Sequence, residues 1–207
     1  IVLRAHKAGY QVAIHAIDNV DAAATALEYA LSKYSRPHRH RIEHCSVCLP
    51  ETLNRLSKLD VIVVTQPPFI FYSGERYLSE VQKHQLPWLY RIKSFKEAGL
   101  RPAASSDSPV APNNPLVGIY AAVTRKVESG DVVLPEEAIS LYEALEMYTT
   151  APAYANFEEN EKAYISAGKL ADLAVLSKNP TVVPSEEIKD IKVEMTILGG
   201  EVVWGGL

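Results

Sequence analysis

One pattern recurs four times in this 207-residue chain: a short apolar stretch typical of a β-strand, followed by a stretch with the apolar spacing of a helix. Alternation of this kind favours a parallel sheet with right-handed crossovers, so the expected fold class is α/β. A long loop is expected between the third strand and its helix. The predicted strands are residues 11–16, 39–45, 61–65 and 101–106, and the predicted helices are residues 19–33, 50–59, 88–98 and 116–127.

The pattern changes after residue 130. Ser140 and Glu143 have the spacing of a capping box, which predicts a helix to about residue 149, and a second helix follows. Strand character then returns at residues 173–176, and the pair Gly199-Gly200 predicts the turn of a terminal hairpin.

Charge and composition exclude several classes of protein. Lys and Arg total 21, Asp and Glu total 25, and the net charge is −4, without a basic cluster, so nucleic acid is not an expected partner. The longest strongly apolar stretch, residues 61–64, is too short to cross a membrane. Two cysteines favour a reducing compartment, the cytoplasm. The first nine residues resemble the end of a helix without an initiator Met, so a longer parent protein is expected.

Three side chains that can bind metal lie at predicted strand ends. His15 ends the first strand, His44 ends the second and Asp107 follows the fourth. In parallel β/α folds the carboxyl ends of strands form the reactive face, and imidazole and carboxylate are the ligand types of catalytic zinc. Each of these residues alone is compatible with a structural role, whereas the three together indicate a metal site.

Two other motifs are weaker candidates. His38 and His40 precede the second strand, and about 13 Å of extended chain separates His40 from His44, so we interpret them as solvated loop histidines. Cys45 and Cys48 have the spacing of a redox or zinc motif, but without a second pair they favour a place in the core or in the wall of a site over an oxidoreductase.

The segment after the third strand leaves two interpretations open. Gln66-Pro-Pro68 carries no ionisable group and is expected to form a rigid turn. The aromatic residues that follow either wall a pocket or pack the loop against the body of the protein. These residues are Phe69, Phe71, Tyr72 and Tyr77.

Several of these motifs together resemble the amidohydrolase superfamily, and most closely the branch called amidohydrolase family 3 or YtcJ-like. The strand-end motifs are Gln11-Val-Ala-Ile-His15-Ala, His40-Arg-Ile-Glu-His44-Cys, Thr65-Gln-Pro-Pro68 and Ser106-Asp107-Ser-Pro-Val. The closing motifs include Gly168-Lys-Leu-Ala-Asp-Leu-Ala-Val-Leu176 and Asp190-Ile-Lys-Val-Glu-Met-Thr-Ile.

The resemblance implies half of a (β/α)₈ barrel, strands five to eight, in residues 1–157. Residues 158–207 would form the C-terminal β segment of a small composite β-sandwich. It implies that His15, His44 and Asp107 bind one or two divalent ions, with zinc expected, and that Asp107 is also the catalytic general base. The implied reaction is hydrolysis of a non-peptide C–N bond in a small-molecule substrate by a metal-activated water. The family's first-strand His-x-His would lie before Ile1.

A rival interpretation is a catalytically inactive half-barrel. A half-barrel would leave its first and last strands as open edges, so we expect a homo-oligomer or association with the missing N-terminal half.

Overall fold

A four-stranded parallel sheet forms the centre of the fold in the computed structural model, which describes residues 1–206. The strands are adjacent in sequence order, and Ala16 pairs with His44 while Thr65 pairs with Ala104. Their carboxyl ends therefore lie along one edge of the sheet, and the expected α/β class is confirmed. The strands are β1 (Ala13–Ala16), β2 (Arg41–His44), β3 (Ile62–Thr65) and β4 (Ala103–Ala104).

Eight α-helices of the described residues surround or follow this sheet. Short 3₁₀ helices occur at Leu86–Trp88, Pro135–Glu137 and Ser185–Asp190. The α-helices are α1 (Val2–Lys7), α2 (Val20–Lys33), α3 (Pro50–Lys58), α4 (Pro68–Glu80), α5 (Ile92–Glu97), α6 (Pro115–Thr124), α7 (Leu141–Tyr148) and α8 (Thr150–Ala155).

Helix α4 replaces most of the long loop that the sequence predicts after β3. Pro68 occupies the first turn of this helix, where its missing N–H costs no hydrogen bond. Gly74 interrupts the helical signal in the sequence, but a Cβ on it would lie 2.2 Å from a methyl carbon of Val127. Close packing of α4 therefore requires the residue that weakens its intrinsic helix propensity.

The predicted features of the C-terminal region are confirmed. The Ser140 hydroxyl accepts a hydrogen bond from the backbone N–H of Glu143, whose carboxylate accepts one from the Ser140 N–H at 2.8 Å. The last three strands form an antiparallel sheet in which Gly199 and Gly200 both have positive φ, as a tight hairpin turn requires. These strands are β5 (Leu173–Leu176), β6 (Val193–Leu198) and β7 (Glu201–Gly205).

Arg39, two residues before β2, connects that part of the chain to α8 and to the segment that follows it. Its guanidinium lies between the rings of Tyr154 and Phe157, 3.8 and 4.4 Å from their centroids, and forms two hydrogen bonds with the Glu159 carboxylate. The planar guanidinium suits both contacts at once. Arg39 lowers the pKa of Glu159 to about 2.

The sequence-based interpretation of His40 as a solvated loop histidine is wrong. His40 is fully buried, and its Nε2 lies 2.8 Å from Nδ1 of His6, on α1. Its Nδ1 accepts a hydrogen bond of 3.0 Å from the backbone N–H of Val12. His38, which is partly buried, stacks on the same ring. Helix α1 covers this end of the sheet, which the spacing of the histidines alone does not reveal.

No helix within residues 1–206 combines the length and the hydropathy that crossing a membrane would require.

Candidate active site

Two histidines meet at the carboxyl edge of the sheet. His15 lies in β1 and His44 ends β2, and Nδ1 of His15 is 3.1 Å from Nε2 of His44. The two rings are inclined at 69° to one another. His44 is buried, whereas His15 is exposed. The structure thus brings together two of the three residues that the sequence predicts as metal ligands.

The backbone leaves β2 in an unusual conformation at this point. His44 and Cys45 have φ values of 72° and 52°, in the left-handed region that non-glycine residues seldom occupy. The Cys45 N–H donates to the Ala16 carbonyl at 2.9 Å, so contact with β1 supports this turn. Conformations of this kind cost free energy and concentrate at functional sites.

Gln66, directly after β3, contacts the other side of the His44 ring. Its side-chain oxygen lies 2.8 Å from Nδ1 of His44. Its amide nitrogen lies 2.9 Å from the Ser105 hydroxyl and 3.3 Å from the Val64 carbonyl. Gln66 is only 2% exposed, so these contacts are shielded from water.

Asp107 lies two residues beyond Ser105, after the end of β4. It has a φ of 54° and is exposed. Within residues 1–206, no group of three or more His, Cys, Asp or Glu side chains is arranged to hold a metal ion. The structure therefore pairs His15 with His44, and the participation of Asp107 stays a prediction.

Phe69 forms an apolar wall beside His44. Its ring lies 6.5 Å from that imidazole at an angle of 29°, and it meets the Tyr90 ring edge-on. The Tyr90 hydroxyl contacts those of Ser46 and Tyr77, and burial raises the pKa of Tyr90. Phe69 is itself buried in an apolar cluster with Ile70, Leu89 and Tyr90, so the structure shows that it packs this segment against the body of the protein beside His44.

Phe71 is only partly buried and packs against the outside of two apolar clusters. Its ring meets that of Tyr120 on α6, 5.8 Å away and nearly perpendicular. Both rings therefore pack this segment against the body of the protein, and a role of Phe69 in lining a site stays a prediction.

The two cysteines are free and fully buried. Both belong to the apolar cluster between the sheet and helices α2 and α3. Burial raises the pKa of the Cys45 thiol well above its ordinary value, which disfavours the thiolate that redox chemistry needs. These observations support the interpretation of the cysteines as core residues.

The sequence and the fold have counterparts among known proteins. The sequence profile of the amidohydrolase family matches residues 1–204. This chain belongs to the amidohydrolase family.

Two curated relatives and one crystal structure illustrate the similarity. The chain is 31% identical, over 97% of its length, to N-substituted formamide deformylase of Arthrobacter pascens. It is 27% identical, over 99% of its length, to YtcJ of Bacillus subtilis strain 168, which is named as an amidohydrolase. The chain spans 38% and 39% of those two proteins. An uncharacterized metal-dependent hydrolase from Pyrococcus horikoshii OT3 matches 89% of the chain with a TM-score of 0.76 and 28% identity, and 38% of that protein is covered.

In this amidohydrolase chain, sequence reasoning missed Gln66 and Ser105 as neighbours of the histidine pair. Gln66 carries no charge and was expected only to form part of a rigid turn. Its position directly after β3 is the signal that could have identified it, because the ends of all four strands meet at the same edge.

Proposed function

We propose that this chain contributes part of the catalytic centre of a metal-dependent hydrolase, with His15 and His44 as two ligands of one divalent ion. The observation that carries this proposal is the 3.1 Å separation of His15 Nδ1 and His44 Nε2. Two imidazole nitrogens bound to one tetrahedral zinc at about 2.0–2.1 Å lie about 3.3 Å apart. The separation of the two nitrogens is therefore within a few tenths of an ångström of that in a shared zinc site, and rotation of the exposed His15 ring would direct both lone pairs to one ion.

Asp107 is the proposed third ligand and the general base. It follows β4, on the sheet edge near which His15 lies in β1 and His44 ends β2, and its side chain forms no hydrogen bond or ion pair within residues 1–206. An exposed carboxylate without a partner is available both to an ion and to a proton. Imidazole and carboxylate donors suit zinc, although they also accept other divalent metals.

The proposed reaction is hydrolysis of a C–N bond in a small, non-peptide amide. A divalent ion at the histidine pair would polarise the carbonyl and make bound water acidic enough to attack near neutral pH. Asp107 would accept the proton of the attacking water, and Phe69 would exclude solvent from the His44 side. The name of the Arthrobacter relative, a formamide deformylase, supports an amide as the substrate class.

The proposed architecture is half of a (β/α)₈ barrel, strands five to eight, in residues 1–157, followed by one part of a composite sandwich in residues 158–207. Four neighbouring parallel strands in sequence order support the first part, and the antiparallel sheet of β5, β6 and β7 supports the second. Because β1 and β4 each pair on one side only, either a second copy or the remaining barrel strands would cover those edges. Two free thiols support a reducing compartment such as the cytosol.

Metal analysis of the purified chain tests the ligand assignment. We expect the wild type to retain zinc after gel filtration, and His15→Ala and His44→Ala to retain less than about a tenth as much, because each variant removes one of few ligands. His84→Ala is the matched control, since His84 is exposed and contacts Trp88 rather than the site. Equal zinc in the wild type and His15→Ala would show that the ligand assignment is wrong.

A further inference from the structure

The orientation of the Gln66 amide is determined by its surroundings. The amide nitrogen faces the Val64 carbonyl at 3.3 Å and the Ser105 hydroxyl at 2.9 Å. A carbonyl oxygen can only accept a hydrogen bond, so the end of the amide near Val64 must be the donating NH₂ group. The amide oxygen consequently faces Nδ1 of His44, at 2.8 Å.

This orientation determines which nitrogen of His44 carries the proton. An amide oxygen only accepts, so His44 must donate from Nδ1–H, and the neutral ring then has its lone pair on Nε2. Nε2 is the atom that faces His15. We propose that Gln66 is a positioning residue that holds His44 in the Nδ1–H tautomer and so directs the Nε2 lone pair to the metal. The tautomer rests on the contacts of Gln66, whereas the role toward a metal rests on the proposed function.

The two histidines differ in how firmly their tautomers are held. Without metal, the lone pair of His44 Nε2 requires His15 to donate from Nδ1–H across the 3.1 Å contact. Binding of an ion through Nδ1 of His15 would require the His15 proton to move to Nε2 of its own ring, and the exposure of His15 would allow that exchange with solvent. His44 is buried and held by Gln66, so it needs no such exchange.

The position of Gln66 directly after β3 and its burial both suit this role. A ligating histidine normally donates its other N–H to a carbonyl or carboxylate, and loss of that partner typically costs 10- to 100-fold in metal affinity. Gln66, directly after β3, provides the carbonyl, and Ser105, directly after β4, provides a partner for the amide nitrogen. The ends of three adjacent strands are thus linked through one buried amide.

Gln66→Leu tests the proposal, because leucine is of similar size and removes the acceptor. In the metal-free chain at pH 8, nitrogen-15 NMR should show the wild-type His44 protonated on Nδ1, and in Gln66→Leu a substantial population protonated on Nε2. Zinc affinity, measured with zinc alone against a chromogenic chelator, should fall about tenfold or more. Gln66→Glu keeps an acceptor for His44 and should keep the Nδ1–H tautomer, since Ser105 can donate to the second carboxylate oxygen, while the contact with the Val64 carbonyl is lost.

Gln82→Leu is the control, since Gln82 is exposed and distant in sequence from the site. Should Gln66→Leu fail to fold, Ser105→Ala removes one anchor of the amide and should give a partial shift of the same tautomer equilibrium. An unchanged His44 tautomer in folded Gln66→Leu, or in folded Ser105→Ala in its place, would overturn the positioning role. Equal zinc in wild type and His15→Ala would instead overturn the proposed metal site and leave the tautomer result intact.

Discussion

Gly118→Ala will lower the free energy of unfolding by about 3 kcal/mol, the upper end of the usual cost of overpacking. A Cβ on Gly118 would lie 1.7 Å from the Tyr148 hydroxyl oxygen, 2.7 Å from Cζ of the same ring and 3.1 Å from Cδ of Pro68. The rigid ring of Tyr148 or helix α4 must therefore move. In an unobstructed helix the same change would stabilise by about 1 kcal/mol, so the sign of the effect is itself informative. Urea denaturation followed by circular dichroism measures it.

Tyr148→Phe provides the matched background for that measurement. The Tyr148 hydroxyl is buried and forms no hydrogen bond within the described part of the chain, so its removal alone should raise the free energy of unfolding by about 1 kcal/mol, the lower end of the usual cost of a buried unpaired polar group. In the double variant the loss caused by Gly118→Ala, measured relative to Tyr148→Phe, should shrink, because the nearest atom is gone while Cζ remains close. Gly118 lies in α6, so a Gly118→Ala variant as stable as the wild type would contradict the close approach of α6 to the Tyr148 ring.

Acidification from pH 7 to 4.5 will lower the free energy of unfolding by about 2 kcal/mol through His40. A chain of hydrogen bonds runs through His40 and His6, and its contacts determine which nitrogen carries each proton. The Val12 N–H donates to His40 Nδ1, and His40 Nε2–H donates to His6 Nδ1. His6 Nε2–H then donates to the Tyr34 carbonyl. A proton added to His40 would have to replace the Val12 hydrogen bond. Burial, and then the positive charges nearby, lower the pKa of His40 to about 4.

The direction of the pH effect follows from that pKa. Unfolded histidine titrates near pH 6.5, so between pH 6.5 and about 4 the unfolded chain binds a proton that the folded chain excludes. The contribution is complete above pH 6.5 and is lost as the pH falls toward 4. The titratable and charged groups around His40 are His6, His38 and Arg36, and each of them lowers the pKa of His40. Burial lowers the pKa of His38 as well, and the negative charge of Asp60 only partly offsets that effect.

Urea denaturation at half-unit pH intervals measures this dependence. His40→Gln should remove most of the slope between pH 6.5 and 4.5, whereas exposed His84→Gln should leave it unchanged. Glu159, whose pKa is about 2, loses its contribution only below its ordinary pKa and so leaves this window to histidine. An undiminished slope in His40→Gln would contradict the proton assignment.

Most of the secondary structure follows from local patterns in the sequence. The apolar strands, the helical spacing, the capping box at Ser140 and the glycine turn at Gly199 all have short-range causes, and each appears, although the helix predicted at 88–98 is shortened to α5 and the strand predicted at 101–106 to β4. The main difference is α4, in which Gly74 weakens the local helical signal and packing against Val127 overrides it. A contact between residues far apart in the sequence decides that segment.

Some features of the candidate site likewise follow from the sequence, and others depend on contacts made only in the folded protein. The approach of His15 to His44 follows from parallel strands that end at a common edge, a property readable from the order of strands and helices. The burial of His40 depends on α1, and the role of Gln66 depends on its contacts with Val64 and Ser105. The amino-acid sequence by itself determined the elements and the edge at which polar side chains gather, because periodicity and strand order are local properties. Only the tertiary structure decided which groups lose water and which atom carries each proton, because both depend on partners brought close by folding.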